Sequence, residues 1–283
     1  MRQLDDQVAI VTGAGTGIGR EIALEFARAG ARVACCGRRI ELVRETISLI
    51  EKERGIGIAF HTDVTDQQQV EKMVSDTISQ FGQIDLLFNN AGSLRCIGAS
   101  WHVDPQEWWQ DVKINLLGTM LCCRAALPSM VKRNQGIVIN MDGGGGTPGP
   151  NIGGSAYGCS KAAILRFTES LAGELERVKS SVLVFAMNPG FVQTDMIKGL
   201  MADPEKQIWR SHIPGLIGSR FEARPNACAK ATMKLLQIAS PELNGRVFHF
   251  DTDFDLIEKN KKKIKDEKLY VLNWTTLTEE ERM

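Results

Sequence analysis

A short run rich in β-branched residues, Val8-Ala9-Ile10-Val11, stops at Thr12-Gly13 and gives way to a helical pattern from Ile18 through Phe26. Strand, glycine loop and helix in that order limit what the chain can become. The alternation then recurs. Further apolar runs lie near Val33–Cys36, Ile58–His61, Asp85–Phe88, Ile137–Met141, Val182–Met187 and Val247–Phe250, and helical patterns between them near Glu41–Glu53, Gln67–Phe81, Pro105–Lys132, Tyr157–Val178 and Asn226–Ile238. Seven strands and six helices in near-strict alternation predict an α/β fold, a doubly wound seven-stranded parallel sheet with helices on both faces. The 283 residues suit one large domain or two small ones. No composition break interrupts Val8–Phe250, so a single domain over residues 1–250 is expected, followed by a C-terminal extension, 251–283.

Two segments stand outside the alternation. Residues 191–225 are long for a strand-to-helix connection and carry Trp209, Phe221 and three prolines, which reads as a substrate lid in preference to a decorative insertion. The extension holds Lys259-Asn260-Lys261-Lys262-Lys263, read as a solvated helix end. Its Asp251-Thr252-Asp253-Phe254-Asp255 imitates the opening of a calcium loop, but Leu256 stands where that loop needs glycine and Lys262 where it needs glutamate, so no metal site is expected.

Lys+Arg and Asp+Glu are equal at 34 each, so whole-chain charge supplies no bias toward nucleic acid or membrane. Seven cysteines without a C-x-x-C, mostly inside apolar runs, read as reduced thiols. The N-terminus has no apolar leader pattern, and no stretch approaches ~18 uninterrupted apolar residues. The expectation is a cytoplasmic protein with a small-molecule partner and neither nucleic acid nor membrane.

The loop Thr12-Gly13-Ala14-Gly15-Thr16-Gly17-Ile18-Gly19 places four alternating glycines where a strand turns into a helix. Glycine lets the backbone approach a pyrophosphate closely, and a helix N-terminus offers free N–H groups and a positive dipole end. The spacing departs from G-x-G-x-x-G, because Arg20 holds the sixth position counted from Gly15. The fold is therefore expected to be of the Rossmann type. After the second strand an acidic residue would accept from a ribose 2′-OH, whereas arginine pairs with a 2′-phosphate. Here the chain reads Gly37-Arg38-Arg39 with no carboxylate, so NADP(H) is preferred, with NAD(H) left open.

Tyr157-Gly158-Cys159-Ser160-Lys161 sets a phenol and an ammonium at i and i+4, on one helix face. A nearby cation favours phenolate, drawing the pKa down from about 10. Lysine is common enough to supply such a neighbour by accident, so the pair needs support from elsewhere.

With Thr12–Gly19, Asn89-Asn90-Ala91-Gly92, Asn115 and Tyr157–Lys161 in this order, the chain resembles the short-chain dehydrogenase/reductase family from about Gln7 to Phe250. The resemblance implies that Tyr157 is the general acid/base, that Lys161 lowers its pKa and holds the nicotinamide ribose, and that Asn115 anchors a water in a proton relay. It further implies that Asp63 and Val64 contact adenine, that Asn89, Ala91 and Gly92 line the adenine-side ribose, and that Pro189, Gly190, Val192 and Thr194 close over the carboxamide. A homo-tetramer or homo-dimer, built through the helices Pro105–Lys132 and Tyr157–Val178, is implied as well.

One position departs. The family expects a serine just after the fifth strand to hydrogen-bond the substrate oxygen, and this chain reads Met141-Asp142-Gly143-Gly144-Gly145-Gly146-Thr147. The serine aligns with Asp142 or, with the register shifted, with Gly143 or Gly144. An ionised Asp142 only accepts hydrogen bonds and would repel a phenolate and a developing oxyanion. Either Asp142 is protonated by desolvation, or Ser155 or Thr147 reaches in, or the substrate needs no serine; alternatively Asp142 only caps the glycine loop. The expected function is an NADP(H)-dependent oxidoreductase acting on a carbonyl or alcohol. The alternative is a cofactor-binding sensor or assembly protein of the same fold, impaired in catalysis.

Overall fold

The computed structural model describes residues 3–144, 149–219 and 222–272. Seven strands form one parallel sheet: β1 (Val8–Thr12), β2 (Arg32–Gly37), β3 (Ile56–His61), β4 (Leu86–Asn89), β5 (Ile137–Met141), β6 (Leu183–Asn188) and β7 (Val247–His249), in the order β3-β2-β1-β4-β5-β6-β7. Every residue of β1 is buried, which is why Val8–Val11 reads as an unbroken apolar run and not as an alternation. β1 pairs with β2 on one side and β4 on the other, so the winding reverses there and opens a crevice at the C-terminal strand ends.

Helices cover both faces. α1 (Gly17–Arg28), α2 (Ile40–Lys52) and α10 (Ala227–Ile238) contribute Ile22, Phe26, Val43, Ile50 and Leu235 to one core. α3 (Gln67–Phe81), α5 (Gly118–Arg133) and α6 (Ser155–Arg177) contribute Val70, Met73, Leu121, Met130 and Leu175 to the other. Each such side chain is worth roughly 1.5–3 kcal/mol when fully buried. Phe26 of α1 and Phe88 of β4 meet edge to face in the α1-side core, ring centroids 6.2 Å apart.

The helix expected over Pro105–Lys132 is helical throughout but not uniform. α4 (Pro105–Val112) passes through a π-helical segment, Lys113–Leu117, before continuing as α5. The run Pro105–Arg133 is long and apolar enough by composition to cross a membrane, yet 56 % of its most apolar window is buried inside the fold. Residues 191–225 carry three short helices, α7 (Asp195–Met201), α8 (Pro204–Trp209) and α9 (Ile213–Leu216). Beyond β7, α11 (Phe254–Lys259) and α12 (Lys261–Asp266) bury Phe254, Ile257 and Ile264 in the α1-side core, so this stretch is docked. The lysine cluster spans the junction of α11 and α12; Glu279–Glu281 lie outside the described residues. Six of the seven cysteines are buried, Cys159 being exposed.

Candidate active site

The glycine loop is shaped by contacts that leave no room for side chains. Gly13 (φ 64°) and Gly17 (φ 56°) have positive φ. A β-carbon on Gly13 would stand 3.0 Å from Ala91 Cα, and one on Gly19 2.4 Å from the Gly13 carbonyl oxygen. Thr16, the residue before α1, is extended and makes no side-chain cap, which leaves the first N–H groups of α1 for an anion. Four residues that sequence reasoning did not select hold the loop. Thr12 Oγ1 accepts from the N–H groups of Asn90 and Ala91, 2.9 Å each, and the Asn90 amide donates to the Thr12 carbonyl at 2.9 Å. The Arg20 guanidinium donates to Thr46 Oγ1 (3.0 Å) and the Gly15 carbonyl, and Thr46 donates to the Ala14 carbonyl (2.8 Å). Arg20, visible in sequence only as a departure from G-x-G-x-x-G, is thus a brace of the loop. Ile18 packs against the α1-side core.

Arg38 and Arg39 lie exposed just past β2. Arg38 Nη1 is 4.0 Å from Asp63 Oδ2, and Asp63 Oδ1 accepts from the N–H and hydroxyl of Thr65. Val64 is buried against Gly118, where a β-carbon would come within 2.6 Å of Val64 Cγ2. The Asn89 side chain is not brought to the crevice. It points into the core and donates to Asn140 Oδ1 (2.9 Å), while Asn140 donates to Thr168 Oγ1 (3.0 Å).

Tyr157 is the third residue of α6 and half-buried; Lys161, one turn on, is 3 % exposed. Lys161 Nζ lies 5.6 Å from the Tyr157 ring centroid and donates to the Met141 carbonyl at 2.7 Å. A β-carbon on Gly92 would be 4.0 Å from Lys161 Nζ and 3.1 Å from Asn115 Oδ1, so the Asn89–Gly92 turn, Asn115 and Lys161 converge. Asn115, fully buried in the π-helical segment, accepts from Ser93 N (2.7 Å) and donates to Ser93 O and Ser160 Oγ (2.9 Å each); Ser160 Oγ donates to the Tyr157 carbonyl (2.8 Å).

Burial pushes the Lys161 ammonium down to about 8, partly offset by Asp142. Tyr157 shifts the other way from the lowering that its lysine neighbour suggests: burial, then Asp142, holds the phenol above its ordinary value, while Arg210 pulls it back.

Asp142, 1 % exposed, follows β5. Its Oδ2 accepts from Asn188 Nδ2 at 3.0 Å, and its Oδ1 is buried without a hydrogen-bond partner among the described residues. Burial raises its carboxyl to about 6, against the pull of the Gly143 N–H, Lys161, Asn188 and His249. Gly143 is the residue against the phenol, since a β-carbon there would stand 2.2 Å from Tyr157 Oη. Ser155 is engaged elsewhere, its Oγ accepting from Trp108 Nε1 and Ser100 Oγ at 3.0 Å each. Thr147 lies outside the described residues.

Past β6, Asn188 Oδ1 accepts from Gly190 N (3.0 Å), and the turn of Pro189 and Gly190 (φ 71°) packs under Phe250. Val192 is buried, and Thr194 opens α7 with its Cγ2 3.2 Å from a β-carbon placed on Gly17. The two sides of the crevice therefore meet. In the 191–225 segment Trp209 packs on Gly153, and Phe221 lies outside the described residues.

A parallel sheet whose winding reverses beside a glycine loop, with a phenol, a buried ammonium and an asparagine at the same strand ends, defines a dinucleotide-dependent α/β oxidoreductase fold. The sequence model of the short chain dehydrogenases matches residues 7–205, and the chain belongs to that family. A short chain dehydrogenase of Pseudocercospora fijiensis is 40 % identical over 199 residues, covering 69 % of this chain and 62 % of that protein, less than two thirds of its length. One of Monascus purpureus is 30 % identical over 272 residues, covering 94 % and 88 %. A crystal structure assigned to the short-chain dehydrogenases/reductases, from Burkholderia xenovorans, superposes with a TM-score of 0.80 at 25 % identity, covering 90 % of this chain and 99 % of that one. The family uses NAD(P)(H), acts on small molecules and is commonly oligomeric.

Proposed function

We propose that this protein transfers a hydride between NADP(H) and a carbonyl or alcohol substrate, with Tyr157 as the general acid/base. The observation that carries the reading is the buried Lys161, held over the Tyr157 ring beside Gly92 and Asn115. The crevice fits a dinucleotide: the cradle at Gly13, Gly17 and Gly19 is one that β-carbons would fill, and the start of α1 is uncapped. Gly13, Gly15, Thr16, Gly17, Ile18 and Gly19 would hold the pyrophosphate, Arg38 and Arg39 a 2′-phosphate, and Asp63, Val64, Ala91 and Gly92 the adenosine side. Pro189, Gly190, Val192 and Thr194 would border the nicotinamide. The bound cofactor supplies or accepts the hydride.

In the reducing direction Tyr157 Oη gives its proton to the carbonyl oxygen as that oxygen gains charge. Lys161, with a pKa of about 8, is mostly cationic at neutral pH and stabilises the phenolate left behind. Asn115 fixes this geometry through Ser160, which ties the Tyr157 backbone to the π-helical segment. We read Gly143 as occupying the place where the family carries its serine, because it is the residue against Tyr157 Oη, while the Asp142 carboxylate is held by Asn188. The substrate oxygen then lacks one donor, a loss on the order of a hundredfold to a thousandfold in rate that activity can survive.

The test is NADPH oxidation by the purified protein across a panel of ketones, aldehydes and quinones, with Tyr157→Phe abolishing turnover while NADPH fluorescence shows binding intact. Equal turnover in Tyr157→Phe would overturn the assignment. Binding without turnover on the whole panel would favour the cofactor-sensing alternative.

A further inference from the structure

Three glycines around Tyr157 make room for a cluster that the proton-transfer chemistry does not need. A β-carbon on Gly153 would stand 2.5 Å from Trp209 Cβ, one on Gly154 1.8 Å from Arg210 Nη2, and one on Gly158 2.8 Å from Asn151 Cβ. Into this space, from the end of α8, the lid inserts Arg210, only 6 % exposed. Its Nη2 donates to Asn151 Oδ1, and its Nε is buried with no hydrogen-bond partner among the described residues. No carboxylate among the described residues pairs with it; the Tyr157 phenol supports its charge and is in turn pulled down by the guanidinium. A guanidinium stays protonated in proteins, and a buried charge without a counter-ion is costly. This cation lies against Gly154, three residues before the reacting phenol at the start of α6, with its Nε unfilled among the described residues.

We propose that Arg210 is the receptor for a carboxylate that the substrate carries close to its reacting carbonyl, so that the substrates are oxo acids and the corresponding hydroxy acids. The inference rests on the oxidoreductase reading above. The planar fork of arginine matches a carboxylate's two oxygens. Closeness to the phenol requires a short substrate, because a phosphate at the far end of a long carrier arm would lie remote from the carbonyl. The other charges facing Tyr157 do not compete. Asp111 on α4 is occupied by the Ser93 hydroxyl and the N–H groups of Arg95 and Cys96, Asp142 as a carboxylate repels the substrate's carboxylate, and Lys161 is tied to the Met141 carbonyl and reserved for the phenolate.

The experiment compares pyruvate, acetoacetate and levulinate with their methyl esters as substrates for the full-length protein with NADPH. At least one acid is expected to exceed its ester by roughly 100-fold in kcat/KM, since the ester leaves the guanidinium unpaired. Arg210→Met is expected to erase that preference with NADPH affinity unchanged. Arg210→Lys, which keeps the charge and loses the fork, is expected to retain part of it and serves if the methionine variant fails to bind NADPH. Equal or better use of the esters, or an unchanged preference in both variants, would overturn the proposal. In a protein without turnover the acids must still perturb bound NADPH fluorescence in the wild type and not in the variants, and absence of that response overturns it too. Acid binding with no reduction of any carbonyl would instead sink the oxidoreductase reading and leave the carboxylate receptor standing.

Discussion

Gly143 lies so close to Tyr157 that a β-carbon on it would stand 2.2 Å from the phenolic oxygen, well inside the 3.0 Å that real β-carbons respect. Gly143→Ala must therefore displace the phenol or the loop. Displacements near 1 Å cost about 100-fold in rate, so turnover is expected to fall by roughly 10- to 100-fold with NADPH binding unchanged. Gly144→Ala, whose β-carbon would meet nothing within 4 Å among the described residues, is expected to have the smaller effect. Steady-state kinetics on both variants check this.

Asp142 predicts a pH dependence of stability. Its carboxyl shifts from 3.8 to about 6 on folding, so the native state binds the extra proton. The stabilisation is fully present below about pH 4 and is lost as pH rises through about 6, a change of roughly 2 to 3 kcal/mol. Lys161 acts in the other window: its pKa falls from 10.5 to about 8, so its penalty lessens as pH rises from about 8 toward 10.5. Urea unfolding at pH 4.5 and pH 7.5 is expected to show the first effect in the wild type and its disappearance in Asp142→Asn.

Arg38 is half-exposed, its Nη1 4.0 Å from Asp63 Oδ2. Arg38→Ala is expected to raise KM for NADPH by roughly 10- to 100-fold while leaving KM for NADH within about twofold, as loss of a charge-assisted phosphate contact does. Equal losses for both cofactors would show that Arg38 does not discriminate between them.

Asn140, fully buried, accepts from Asn89 and donates to Thr168. Asn140→Leu removes one hydrogen bond from each partner, leaving the Asn89 amide only Cys123 Sγ (3.3 Å) and the Thr168 hydroxyl only the Ile164 carbonyl (2.8 Å), at a cost of about 1–3 kcal/mol in all. The urea midpoint is expected to drop with activity per folded molecule preserved, because neither side chain reaches the crevice.

The fold was legible because burial on both faces of the sheet writes itself into sequence as unbroken apolar runs such as Val8–Val11, with helical periodicity between them. The glycine loop was legible because backbone crowding at Gly13 and Gly19 admits only glycine. Side-chain direction was not. Asn89 and Asn90 are neighbours of one residue type, yet one faces the core and the other ties down Thr12. Position 142 posed the same problem: the motif located Asp142 and Gly143 to within one residue, and only the pleat of β5 decides which meets the phenol. Arg210 lacked any signal, since the glycines that admit it lie far away in sequence and read as ordinary turn chemistry.

The π-helical segment between α4 and α5 contains one more residue than a regular turn would use, which rotates everything beyond it by about 100° relative to what precedes it. Asp111 before the segment and Asn115 within it both grip the loop at Ser93, whereas α5 beyond it packs its side chains into the sheet. The helix is thus an angular adapter between two surfaces that a uniform α-helix could not serve together. Removing a single residue from Lys113–Leu117 would act at a distance, swinging either the Ser93 grip or the whole core face of α5 out of phase, although the helix itself would be more regular than before.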